Sequence, residues 1–194
     1  MFAPMKQQYF AVAVAAVLCS CVVLVVAPPS NSQSPTVEYQ VKAAFLYNFA
    51  QFVEWPSQAF SSPNDPFTFC LAGDPFQGAL DRTIQGETLG GRPLAARRIG
   101  SPEDVRGCQL VYVGPSEGRR SAEIINAAAN APILMVGETE DFISTGGMIR
   151  FTQSGQRIRF EINPDAAERA SLKVSSRLLR LADIVRPRRR AANP

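Results

Sequence analysis

The sequence predicts a three-layer α/β domain: a mainly parallel sheet flanked by helices, with a C-terminal β-hairpin and helix. Three observations carry this expectation. Short apolar runs, FTFCLAG, QLVYVG and PILMVG, alternate with helix-capable segments. The links between them are short, the βαβ pattern that lays strands parallel. Towards the C-terminus the period switches to two in MIRFTQ and RIRFEIN, on either side of Ser154-Gly155, which marks a hairpin.

The elements follow in order. VKAAFLYNFAQFVEWP, residues 41–56, holds five aromatics in sixteen residues. Val41, Phe45, Phe49, Phe52 and Val53 recur at helical spacing, predicting an amphipathic helix over 37–54 whose aromatics join the core and which Pro56 ends. Asn48 falls on that apolar face. A buried amide without partners costs about 1–3 kcal/mol, so Asn48 is expected to bond backbone from another element. SQAFSSPNDP reads as a loop, and DPFQGALDRTI as a short helix capped by Asp74 with Pro75 at its first position. RPLAARRI is a strand, SPEDVRG a capped turn and EGRRSAEIINAAAN a helix. In RIRFEIN, Ile158, Phe160 and Ile162 face one way and Arg157, Arg159 and Glu161 the other. Asn163-Pro164-Asp165 has the order of a helix start, and Leu178, Leu181, Ala182 and Val185 make an i, i+3, i+4, i+7 face in the last helix.

The ends differ from this domain. Tyr9 to Ala27 is an uncharged apolar run between MFAPMKQQ and PPSNSQSP. Residues 1–35 therefore read as a signal peptide and spacer, or as an uncleaved anchor, the run being just long enough to span a bilayer. Either places the α/β domain, residues 36–186, outside the cytoplasm. The closing residues 187–194, with Arg188, Arg189 and Arg190, read as a solvated, disordered basic tail that together with Arg186 could alternatively touch anionic lipid.

Composition excludes several functions. The net charge of +3 is too small a field for nucleic-acid binding. Histidine is absent, which removes Ser-His-Asp and Cys-His catalysis and most zinc sites. No catalytic, cofactor or metal residues are assigned. Gly73-Asp74-Pro75 matches no phosphate-loop pattern and reads as a helix start, and Gly146-Gly147 as a turn. Glu138, Glu140 and Asp141 cluster after PILMVG, where α/β proteins place sites, but Asp141 more simply caps a short following helix. Cys19 and Cys21 lie in the apolar run, leaving Cys70 and Cys108. In an oxidising compartment two cysteines read as one disulfide; free buried thiols and a redox switch are the alternatives.

With these residues in view, the chain resembles the YfiR family of small periplasmic repressors. The matching stretches are VKAAFLYNFAQFVEWP, FCLAGDPFQGAL, GCQLVYVG, PILMVGE, GGMIRF with RIRFEIN, and ASLKVSSRLLRLADIV, in order from about residue 38 to 186. The resemblance implies an α/β domain that can dimerise. It implies repression of a YfiN-like inner-membrane diguanylate cyclase through its periplasmic sensor region, and sequestration by a YfiB-like outer-membrane lipoprotein. Cyclic di-GMP and biofilm formation would be the outputs. Cys70 and Cys108 match a disulfide of the family; a second pair found in some members has no counterpart here. By analogy, partner contacts fall on the hairpin around Ile149 and Glu161 and the turn around Lys173, Ser175 and Arg177. The alternative is a small-molecule-binding periplasmic domain using Lys173 and Arg177 for an anion. An unrecognised hydrolase is the weakest reading, since no nucleophile has an evident base.

Overall fold

A computed structural model describes residues 36–187. The chain opens with helix α1, Val37–Gln51. It stops at Phe52, and Val53–Glu54 forms strand β1 instead of a last helical turn. β1 pairs antiparallel with β9, Lys173–Val174, in a small two-stranded sheet.

The buried face of α1 is rotated from the predicted one. Lys42, Ala43, Leu46, Phe49 and Ala50 are buried, whereas Val41 is 40% exposed and Phe45 and Phe52 are half-buried. Asn48 is exposed, which overturns its expected role as a buried, bonded amide. Counting large apolar residues alone misplaced the stripe. Ala43 and Ala50, small residues left out of that count, lie on the buried side with Leu46 and Phe49. Phe49 then packs against Phe151 and Phe160 at centroid distances of 5.6 and 5.0 Å.

The main sheet contains β2 (Phe67–Ala72), β3 (Thr88–Leu89), β4 (Arg92–Arg98), β5 (Leu110–Val113), β6 (Leu134–Gly137), β7 (Ile149–Ser154), β8 (Arg157–Ile162) and β10 (Asp183–Ile184). Their spatial order is β10-β8-β7-β6-β5-β2-β4-β3. All neighbours are parallel except the β7–β8 hairpin and the β3–β4 edge pair. The three central strands β2, β5 and β6 are wholly buried, so they read as continuous apolar runs. The hairpin alternates as predicted, with Phe160 and Ile162 buried and Arg157 and Arg159 exposed.

Helix α2, Ala79–Ile84, joins β2 to β4, and α3, Ser121–Ala127, joins β5 to β6. The two crossovers run in opposite directions along the sheet, so right-handed connections put α2 and α3 on opposite faces. This gives three layers. α2 starts later than expected, capped by Gly78 in a left-handed conformation (φ 78°). Asp74 closes the preceding turn, accepting from the Phe76 N–H at 2.9 Å, and ion-pairs with Arg98 at 2.6 Å. The turn over Pro102–Val105 has the predicted cap, a reciprocal Ser101–Asp104 box. Asp141 and its neighbours form turns, not the short helix expected there.

Helix α4, Pro164–Arg169, is capped by the Asn163 side chain, which accepts from the Ala166 N–H at 3.2 Å. The last helix, α5, covers only Ser176–Leu179. The chain then turns to add β10 beside β8, leaving Leu181 61% exposed, so the four-residue apolar face predicted for that helix does not form. Edge pairing of Asp183 and Ile184 outcompeted a further helical turn. Cys70 on β2 and Cys108 just before the neighbouring β5 are disulfide-bonded across a sequence separation of 38. The readings of residues 1–35 as an export segment and of the tail from 188 lie outside the described residues. Among the described residues no helix is long and apolar enough to cross a membrane.

Candidate functional site

The most unusual chemistry sits where α1 crosses the carboxyl end of β6. Lys42 is 4% exposed, on a helix face otherwise apolar. Its Nζ donates to Glu38 Oε1 at 2.5 Å, one helical turn back, and to Glu138 Oε2 at 2.6 Å, directly after β6. The ammonium also lies 4.6 Å from the Tyr39 ring centroid and 5.7 Å from that of Phe151. On the other side of Glu138, the Tyr112 hydroxyl of β5 donates to Oε1. Both carboxylate oxygens of Glu138 are thus engaged.

The position follows from the fold. Tyr112 and Val136 are register partners on β5 and β6. Side chains alternate along a strand, so Tyr112, Val136 and Glu138 rise from the face that α1 covers. A cleft of about 410 Å³ opens beside them, lined by Glu38, Lys42, Glu138, Glu140 and residues of β7. Open α/β sheets hold ligands in such crevices beyond the strand ends.

Electrostatics follow from burial and the shared carboxylate. Burial raises the Tyr112 pKa far above its usual value, and the adjacent Glu138 charge adds to this. Tyr39 is raised by burial first and by Glu138 second. For Lys42 burial acts downward, but hydrogen bonds to Glu138 and Glu38 outweigh it and the net shift is upward. At neutral pH the site holds an ammonium and two protonated phenols. Of the carboxylates clustered after β6, Glu138 is the one held from both sides, by Lys42 and Tyr112.

The residues expected at a partner surface separate into two places. Ile149 is fully buried on β7, paired with Val136 and Ile162, and cannot touch a partner in the folded chain. Its β-branched bulk belongs to the core under α1. Glu161 is half-buried and bonds Arg150 of the adjacent strand at 2.9 Å. Lys173, Ser175 and Arg177 come together beside the end of α1. Lys173 faces Glu54 at 3.6 Å, Ser175 caps α5 through the Leu178 N–H at 3.3 Å, and the Arg177 guanidinium lies 5.8 Å from the Phe52 ring centroid. The Ser175 N–H donates to the Phe52 carbonyl at 2.9 Å, tying this turn to the helix end. Sequence reading missed Lys42 and Tyr112; a lysine four residues after Glu38 within an apolar run was the available signal.

A mixed sheet with helices on both faces and a polar, ion-paired cleft at the end of β6 defines a small three-layer α/β domain. The YfiR/HmsC-like family profile matches residues 39–183, and the chain belongs to that family. Among solved structures the fold is similar to the crystal structure of a conserved domain protein from Vibrio cholerae O1 biovar El Tor. The match has TM-score 0.53 and 11% identity, covering 76% of this chain and 60% of that one. The chain thus spans less than two thirds of that protein's length, and the likeness is one of fold.

Proposed function

We propose that this protein is a periplasmic regulator without catalysis of its own, acting by binding the periplasmic sensor region of a YfiN-like inner-membrane diguanylate cyclase and holding it inactive. The family match over residues 39–183 carries this reading. The Cys70–Cys108 disulfide supports an oxidising compartment, with residues 1–35 as the export segment. A YfiB-like outer-membrane lipoprotein would compete for the regulator, and cyclic di-GMP and biofilm formation would follow the cyclase. The proposed contact surface is the exposed turn of Lys173, Ser175 and Arg177 beside Glu54, with Glu161 as a second contact; Ile149 is withdrawn. Repression requires unequal affinity for the two cyclase states. A tenfold preference supplies about 1.4 kcal/mol, and near-complete silencing needs several times that.

The test uses the purified chain, disulfide intact, as bait for a detergent-solubilised envelope, with captures identified by mass spectrometry. A membrane cyclase with a periplasmic sensor is expected among the captures. It should be lost on Lys173→Gln/Arg177→Gln, which removes both charges at two exposed positions without setting a like charge against Glu54. Capture of no such cyclase by folded bait would refute the reading. The polar cleft beside Lys42 favours a second reading, a small-molecule-binding periplasmic domain. The anion site imagined at Lys173 and Arg177 draws less support, since Lys173 already faces Glu54.

A further inference from the structure

A second pocket lies on the face of the sheet away from α1. Met135 alternates with Leu134 and Val136 along β6, so its side chain points to that opposite face. Met148 runs beside it, its N–H donating to the Met135 carbonyl at 3.2 Å. The two methionines, Ile125 from α3, and Ala166 and Ala170 from α4 and its end line about 190 Å³ of space, together with the polar side chains of Asn126, Asn130 and Thr145. The alanines leave this space because their side chains end at Cβ. At the mouth Gly146 has φ 114°, and any Cβ there would come within 3.3 Å of Ile125 Cγ2, so glycine keeps the mouth open.

The rim carries Arg169, an exposed cation with no ion pair or hydrogen bond among the described residues. No acidic side chain lines the pocket. A pocket with apolar walls, a few neutral polar groups and one unspent guanidinium at its edge suits a ligand with an apolar body and one anionic group. A dry cavity of about 150 Å³ accepts a benzene-sized body, so this one accommodates a ring and begins to accommodate its substituent. Two thioethers favour an aromatic over an aliphatic body.

We infer that this pocket binds a small aromatic carboxylate, its ring against Met135 and Met148 and its carboxylate on Arg169. The inference does not depend on the regulatory reading.

The chain has four methionines, of which Met135 and Met148 lie in the folded domain. The full-length chain labelled at methionine methyls gives a direct readout by NMR, with phenylacetate as the probe. Both resonances should shift saturably at millimolar phenylacetate. Arg169→Gln, at an exposed position, should weaken binding about tenfold, the low end of a charge-assisted hydrogen bond. Neutral phenylacetamide should bind wild type and variant alike. Absence of a saturable shift at Met135 and Met148, or phenylacetate binding unchanged in Arg169→Gln, would overturn the proposal. Hexanoate binding more tightly than phenylacetate would overturn its aromatic part.

Discussion

Lys42 on α1 and Glu138 after β6, 96 residues apart in sequence, meet at 2.6 Å with their side chains only 5% and 13% exposed. A buried ion pair adds little net stability over an apolar pair of the same shape, yet losing one partner strands the other. Lys42→Met should therefore cost about 3 kcal/mol in urea unfolding, leaving Glu138 to Tyr112 alone. The double variant Lys42→Met/Glu138→Gln should recover most of that loss. A double variant no more stable than the single would show that the pair is not the coupled unit described.

The same site predicts alkaline instability. The folded pKa values of Tyr112, Tyr39 and Lys42 all lie above their unfolded values of 10.0, 10.0 and 10.5. The folded state then holds more protons than the unfolded state, so stability falls as pH rises. The contribution is complete below about pH 10, where the unfolded tyrosines begin to ionise, and shrinks above it. Urea midpoints from pH 8 to 11 should fall above 10, and less steeply in Tyr112→Phe. Identical slopes in both proteins would exclude Tyr112 as a source.

The sheet was legible because its central strands are buried on both faces and are apolar without interruption, as in FTFCLA and LVYV. The hairpin was legible from its period of two and the turn at Ser154-Gly155. Pieces that depend on remote partners were not. β1 and β9 are two residues each, and neither has a local signal; each exists because Val53 meets Val174. The same holds for β10, where Asp183 and Ile184 pair with Glu161 and Ile162, and a local helical pattern lost to sheet extension. At the candidate cleft, Glu138 was visible as a carboxylate at a strand end. Its partners were not, since Lys42 and Tyr112 reach it from different elements.

The disulfide ties β2 to the entrance of β5, closing a loop with a sequence separation of 38. On the chain-entropy account, opening such a loop costs about 4 kcal/mol. Cys70→Ser/Cys108→Ser, and wild type in reductant, should lose a similar amount in urea unfolding. Intact mass with and without reductant and alkylation should count one bond, and two alkylated thiols before reduction would contradict it.

Phe142 is fully buried against two glycines. A Cβ on Gly147 would come within 2.2 Å of Phe142 Cδ1 and 2.7 Å of its carbonyl oxygen. Gly147→Ala should therefore destabilise by about 2–3 kcal/mol through overpacking. Gly100→Ala, with nothing within 4 Å of a Cβ, is the control and should stay within about 0.5 kcal/mol of wild type. Equal effects at both sites would remove steric contact with Phe142 as the cause.

The rotated face of α1 makes three neighbouring positions behave differently. Phe49 is fully buried among Phe45, Phe151 and Phe160, so Phe49→Ala should cost about 3–5 kcal/mol. Phe45 touches the same rings, at 5.5 Å from Phe160 and 6.0 Å from Phe151, but is only half-buried, and its truncation should cost about 2 kcal/mol. Asn48, exposed between them, should tolerate alanine within about 0.5 kcal/mol. Urea unfolding of the three variants orders them as Phe49 above Phe45 above Asn48. A stretch serving only as core leaves partner capture by Asn48→Ala unchanged. Loss of capture at unaltered stability would instead assign the outer face of α1, with Val41 and Asn48, to the partner. A large stability loss in Asn48→Ala would contradict its exposed placement.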